Sequence, residues 1–357
     1  MKIPHPMHPD EITPEWLTHA LRSGGVLKKA SVKKLNTEIL GTGKGFMSSA
    51  VRVNIEYDEA EEDAPKSVVV KIEPESEKLQ NIGYQQHVFE REIRFYKEVG
   101  RNVPIRIPIL YFSVDEPPAY SMVMEDLKSF TPGDQIIGMK ENMIISTVQA
   151  MAKIQSKYWN TSLLDALEWM PIKNDIFEDY YEKWDSFVKY FGSFVDPQAL
   201  KIGEKLRPYA LWLDKEISKR PKTLVHSNLK EDNLLFGDPD SDEAVLILDW
   251  QTTIRSMGAF DVAFLIGGSE VPAERKGHQF EVLRSWHDTL IEDGVENYRW
   301  EEAVRDLRLG ALACLCFRVH FHTVYIGAEG RALEVAKVIF SRHFSSALEM
   351  DAELVLP

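Results

Sequence analysis

The sequence predicts an α+β chain in two lobes, a β-rich lobe over residues 1–125 and a mainly helical lobe over 126–357. Three observations predict it. From residue 31 to about residue 73 the apolar residues alternate, the period of a strand with one covered face. After Leu127 they recur at the spacing of one helix face. Between residues 223 and 254 that helical pattern breaks into short apolar runs separated by polar turns.

Along the chain, "TPEWLTHALRSGG" carries Thr13 as an N-cap, Pro14 in the first turn and Gly24 beyond the end, so it reads as a short helix. "AVRVNIEY" sets Val51, Val53, Ile55 and Tyr57 on alternate positions, and "KSVVVKIE" is a β-branched run. The acidic "DEAEEDAP" between them is a solvated turn. A helix over "QQHVFEREIRFYKEV" follows, then strands near "IPILYFS" and "YSMVMEDL", with a hinge near residue 126. "MIISTVQAMAKIQSKYW" places Ile144, Val148, Met151, Ala152 and Trp159 on one stripe, and helical patterns recur over 196–218, 273–293 and 300–326.

Composition narrows the function. The net charge of -14 argues against wide nucleic-acid contact, because phosphate binding calls for a basic surface. No apolar run approaches the roughly 18 residues of a membrane helix, and "MKIPHPMHPDEITPEW" lacks the apolar core of a signal peptide. The two cysteines, Cys314 and Cys316, stand two apart on an apolar helix and point in different directions, which excludes a disulfide and a zinc site between them. The expectation is a soluble cytoplasmic protein with neither nucleic acid nor membrane as partner.

The chemistry is carried by spaced motifs. "GTGKGF" sets Gly41, Gly43 and Gly45 two apart, then runs into an alternating strand. A dinucleotide-binding or P-loop glycine turn must instead open a helix whose N-terminus takes the phosphates. The element is therefore a hairpin with a glycine-rich tip, where backbone N–H groups can approach phosphate oxygens as in kinase-type loops. Lys71 ends the strand "SVVVK", and Glu92 lies on the next helix beside the apolar Phe89, Ile93 and Tyr96, with Glu90 as the competing acid. A strand lysine paired with a helix glutamate is how kinase folds hold α- and β-phosphates. In "LVHSNLKEDNLLF", His226, Asn228, Lys230 and Asn233 fit the pattern H-x-D-x-K-x-x-N with asparagine in the place of aspartate. Sixteen residues after Asn233, Asp249 ends the apolar run "AVLILD". An asparagine and an aspartate at this interval are how kinase folds ligate Mg²⁺ between nucleotide phosphates.

With these motifs in order, the chain resembles the aminoglycoside phosphotransferase and choline kinase-like superfamily, and within it the CHK kinase-like, or ecdysteroid kinase-like, branch. "LVHSNLKEDNLLF" looks like the branch's catalytic loop, "LILDWQTTIRSMGAFDVAFLI" like its metal-binding segment and following helix, and "YSMVMEDL" like its hinge strand. The resemblance runs over roughly residues 13–325. It implies a two-lobed protein kinase-like fold, ATP and Mg²⁺ as cofactors, and a small-molecule acceptor, hydroxylated or anionic. It also implies that Met124, Glu125 and Leu127 hold the adenine through backbone groups, that Asp261 supports the catalytic loop, and that Lys230 reaches the transferred phosphate. Aromatic candidates for the acceptor cleft are Tyr180, Tyr181, Trp184, Trp286 and Trp300.

Three positions depart from the family pattern: Ser227 replaces a glycine, Gln155 a histidine, and Asn228 the catalytic aspartate. An amide cannot take a proton, so the general-base role is gone at position 228. Three readings fit: an introduced Asp→Asn exchange, a natural phosphotransferase whose acceptor needs no base, or a pseudokinase that binds nucleotide or a small molecule without phosphoryl transfer.

Overall fold

Alternating apolar positions become strands and periodic ones become helices. In a computed structural model of the chain, described over residues 5–41, 49–116, 119–172, 175–239, 241, 243–269 and 277–357, the backbone falls into two units. The first comprises Met1–Asn102, Ile107–Phe130 and Leu248–Gln251. The second comprises Val103–Arg106, Thr131–Ile247 and Thr252–Pro357.

The first unit is a five-stranded sheet with helices. α1 (Pro14–Ser23) begins where the Thr13 hydroxyl accepts the Trp16 N–H at 3.2 Å. The strands are β1 (Val32–Leu40), β2 (Ser49–Tyr57), β3 (Ser67–Ile72), β4 (Leu110–Glu116) and β5 (Ala119–Glu125). Their order is β1-β2-β3-β5-β4, and each neighbouring pair is antiparallel. The register aligns Val51 with Val70 and Val70 with Val123, and this row packs with Trp16, Leu17 and Leu21 of α1 in one buried cluster. Strand side chains alternate, so Lys71 points to the opposite face from Val70 and Ile72.

Two helices precede β4: α2 (Glu77–Gln85) and α3 (Val88–Arg94). The single helix expected over "QQHVFEREIRFYKEV" is shorter at both ends. His87, at φ +54, breaks the chain before Val88, and a wider π turn takes over at Phe95–Val99. The segment Leu248–Gln251 joins this unit through Trp250, a fully buried ring stacked on Phe95 at 4.0 Å and 7°.

In the second unit β6 (Thr131–Pro132) precedes α4 (Glu141–Tyr158), whose Ile144, Val148, Met151 and Ala152 are fully buried. There follow α5 (Ser162–Asp165), α6 (Tyr180–Phe191), α7 (Pro197–Leu206) and α8 (Ala210–Ser218). The interrupted stretch supplies β7 (Thr223–Val225), β8 (Leu234–Phe236), β9 (Val245–Ile247) and β10 (Ile254–Ser256). They form a pair, β10-β7, and a three-stranded sheet, β6-β8-β9. α9 (Ala259–Ser269) is buried at every residue and is packed by α11 (Trp300–Phe321) and α12 (Gly330–Glu349), while α10 (Gln279–Glu292) lies on α4. Among the described residues no helix is long and apolar enough to cross a membrane.

The core of this unit rests on stacked rings. Phe187 is fully buried, lies parallel to Phe344 at 5.1 Å and meets Phe340 edge-on at 5.2 Å. Phe187→Ala should lower stability by about 3–5 kcal/mol, the cost of lost transfer and a residual cavity. Urea unfolding of the full chain measures it, and a loss under about 1 kcal/mol would show that the site collapses around the deletion.

Candidate active site

The sequence-predicted residues gather into two groups, one in each unit. In the first unit Lys71 is the penultimate residue of β3 and Glu92 sits in α3. The Lys71 ammonium donates to both Glu92 carboxylate oxygens at 2.7 Å and to Asp249 Oδ1 at 2.7 Å. Glu90, the competing acid, faces His87 and Arg94 instead. Glu92 is 3% exposed, so its charge is held by Lys71 and not by water. Burial pulls the ammonium of Lys71 down, but Asp249 and Glu92 outweigh it and the net shift is upward. Burial pushes the Glu92 carboxyl up to about 7, against the pull of Lys71.

Asp249 reaches this position by a left-handed backbone, φ +63, which aspartate tolerates better than most residues. Its Oδ2 accepts the Gln251 side-chain amide at 3.1 Å, and the neighbouring Trp250 anchors the turn on Phe95. Neither contact was legible in the motif. The chain just after β5 is also fixed from the side. Asp126 takes Arg52 Nε on both oxygens, at 3.1 and 3.0 Å, and the Ser67 hydroxyl at 2.7 Å. Met124 and Glu125 end β5, and the Leu127 carbonyl accepts the Phe130 N–H at 3.0 Å. Gly41 follows β1 at φ +61, whereas Gly43 and Gly45 lie outside the described residues. The strands on either side are antiparallel, with Leu40 opposite Ala50, so the glycine segment joins two paired strands.

In the second unit the loop after β7 is held by Asp261 of α9. Its Oδ2 accepts the His226 N–H at 2.8 Å and its Oδ1 the Ser227 N–H at 2.9 Å. Burial raises the Asp261 carboxyl to about 7, against those two N–H bonds and the Gln155 amide. Gln155 is fully buried and donates from Nε2 to Asp261 at 3.2 Å, while its Oε1 accepts the Trp286 indole N–H at 2.7 Å. Trp286 thus fixes the amide of Gln155, and Gln155 braces the aspartate. Ser227 has φ +68, which explains a glycine at this position in the family pattern: a side chain there costs about 1–2 kcal/mol.

The loop then turns so that the Asn228 N–H meets His226 Nδ1 at 3.2 Å, which leaves the ring proton on Nε2. Asn233 donates from Nδ2 to the Asn228 carbonyl at 2.9 Å, so its Oδ1 remains the acceptor available to a cation. Lys230 is half-buried between these two asparagines in the chain. Among the described residues no cluster of three or more His, Cys, Asp or Glu could hold a metal. Asp249 in the first unit carries carboxylate oxygens and Asn233 in the second an amide oxygen, each a hard donor of the kind Mg²⁺ takes.

The aromatic candidates divide. Tyr180, Trp184 and Trp286 are core residues at 0–2% exposure. Tyr181 is exposed with Arg207 over its ring, and Trp300 carries the Arg284 guanidinium at 3.5 Å.

A family model of the ecdysteroid kinase-like family matches residues 42–296. The chain belongs to that family. Lys71, Glu92, Asp249 and the loop 226–233 fall inside the matched segment. Two solved structures share the fold of this family member. Choline kinase from Cryptosporidium parvum Iowa II is 12% identical over 90% of this chain and 92% of that one, with a TM-score of 0.54. The GDP complex of wild-type aminoglycoside 2'-phosphotransferase-IIIa is 14% identical over 90% and 96%, with a TM-score of 0.50. No curated protein matches the sequence.

Lys71→Met leaves Glu92 buried without its cation and should cost about 3–5 kcal/mol near pH 8. The Glu92 carboxyl already lies above its ordinary range, so stability tied to it is present at low pH and falls as pH rises toward about 7. Without Lys71 that loss deepens, so the deficit against the parent chain should shrink from about pH 8 to about pH 5. Denaturant midpoints across that range test this. A deficit that widens toward acid would contradict the pairing.

Proposed function

We propose that this chain is an ATP-dependent phosphotransferase acting on a small-molecule acceptor, with Asn228 where such enzymes carry their base. The observation that carries the proposal is the Lys71 ammonium, held within 2.7 Å of Glu92 and Asp249. A half-buried lysine kept cationic by two carboxylates is preorganised for phosphate oxygens, since its charge needs no reorganisation when the ligand arrives.

In this reading Lys71 binds the nucleotide phosphates, Glu92 orients it, and the backbone of Met124, Glu125 and Leu127 holds the adenine. The glycines Gly41, Gly43 and Gly45 cover the phosphates. Asp249 and Asn233 hold Mg²⁺, which when bound neutralises charge on the phosphates. Lys230 binds the transferred phosphate, and His226 and Asp261 set the backbone that presents Asn228. The chain works in the cytoplasm, where its buried Cys314 and Cys316 stay reduced.

The Asn228 amide accepts no proton, and a positioned base contributes about 10²–10⁴-fold. The acceptor is then either a hydroxyl phosphorylated slowly or a group already anionic, such as a carboxylate. That same amide favours a second reading, a kinase-fold protein that binds nucleotide or a small molecule without transferring phosphate.

Asn228→Asp separates these readings. Assayed by ADP release against alcohol, phenol and carboxylate panels, it should raise transfer to hydroxyls by about 10²–10⁴-fold if the base alone is missing. For an anionic acceptor the added carboxylate should lower the rate by repulsion. Equal, substantial rates in both proteins would overturn the assignment of Asn228 to the base position. No transfer by either protein to any acceptor would favour the binding scaffold.

A further inference from the structure

The family match ends at residue 296, and α12 lies beyond it. This helix carries Arg331 and Arg342, eleven residues apart. Eleven residues are close to three turns at roughly 3.6 per turn, so both side chains leave the same face. Both reach the loop that contains Lys230 and Asn233.

Arg342 is 6% exposed. Its Nη1 donates to the carbonyls of Gln135 at 2.9 Å and Gly268 at 3.1 Å, and its Nη2 to the carbonyl of Ile136 at 2.9 Å. Nη1 also lies 3.9 Å from the carboxylate of Glu231, a residue with no exposed surface. Arg331, in the first turn of α12, places Nη2 3.0 Å from Asp134 Oδ2 and 3.8 Å from Asp232 Oδ1.

The segment 131–139 links these contacts. β6 pairs with β8, the Gly133 N–H donates to the Leu234 carbonyl at 3.0 Å, and the Gln135 N–H donates to Asp232 Oδ1 at 3.2 Å. Gly133 lies so close to the loop that a Cβ there would overlap the Glu231 carbonyl, so only glycine fits. At the far end the Met139 N–H donates to the Ser269 carbonyl at 3.0 Å. Segment 131–139 is therefore a strap across residues 231–234. It also satisfies the end of α9, where helix carbonyls have no partner of their own.

Charge explains the need for two arginines. Asp134, Glu231 and Asp232 set three carboxylates in this small region, and a buried carboxylate without a counter-charge is strongly unfavourable. The flat guanidinium fork can take several carbonyls and face an acid at once, which a lysine ammonium does less well.

We infer that Arg331 and Arg342 are positioning residues: from α12 they pin the strap and, through it, the loop that presents Asn228 and Asn233. The inference rests on reading 226–233 as the catalytic loop. Hydrogen exchange on the full chain compares the parent with Arg342→Met. Protection over 131–139 and 226–236 should fall by about tenfold or more, with α4 unchanged. In phosphoryl transfer, kcat should fall by about tenfold while the nucleotide KM stays within about twofold. Arg331→Met should act in the same direction but less, because its side chain is about a third exposed. Arg342→Lys keeps a charge opposite Glu231 without the fork and should fall between, and it serves if Arg342→Met does not fold. Unchanged protection in strap and loop, or an equal loss in α4, would overturn the inference. If the parent transfers no phosphate, the kinase reading fails while the exchange result still decides the grip.

Discussion

The Lys71 ammonium lies 2.7 Å from both oxygens of Glu92 and from Oδ1 of Asp249, and each partner is delivered by a different part of the first unit. β3 places the lysine on the sheet face opposite Val70, because strand side chains alternate. α3 delivers Glu92 on its buried side, next to Ile93 and Phe95. Asp249 returns from a distant stretch of chain, held by a left-handed turn and by Trp250 against Phe95. The one cation is shared by two carboxylates, and it is the counter-charge that lets Glu92 stay buried. A phosphate arriving at Lys71 would meet a cation already in position.

The second unit uses the opposite device, a single carboxylate that organises backbone. Asp261 takes two consecutive N–H groups of the loop and is braced by Gln155, which Trp286 fixes in turn. Ser227 holds a left-handed conformation under that constraint, a strain the three hydrogen bonds of Asp261 offset. These hydrogen bonds hold the loop with Ser227, Gln155 and Asn228 where the family pattern has glycine, histidine and aspartate. An amide at position 228 accepts no proton, and hydrogen bonds from Asn228 to His226 and from Asn233 to Asn228 shape the backbone around it.

Much of this was legible in the sequence because it is local. Alternation gave β2 and β3, and Thr13 and Pro14 gave the start of α1. The β-branched run ending in Lys71, the helix position of Glu92 and the strand-end position of Asp249 marked the three charged residues that meet in the first unit. The illegible part is long-range. Trp250 on Phe95, Arg52 on Asp126 and Trp286 on Gln155 join positions far apart in the chain, and no period or spacing encodes them. α12 was missed as a functional element because Arg331 and Arg342 look like ordinary surface charges until Glu231 and Asp232 are placed beneath them. Trp286, taken as a cleft candidate, is core for the same reason: burial depends on which helix lies opposite.

The claim that Lys71 and Asp249 form a preorganised phosphate and metal site is tested most directly by titrating ATP calorimetrically, once with Mg²⁺ and once with chelator. Binding should saturate and be at least about tenfold tighter with Mg²⁺, and in an Asp249→Asn variant that difference should disappear while metal-free binding persists. Binding of equal strength with and without the metal, or no binding at millimolar ATP in either condition, would contradict it.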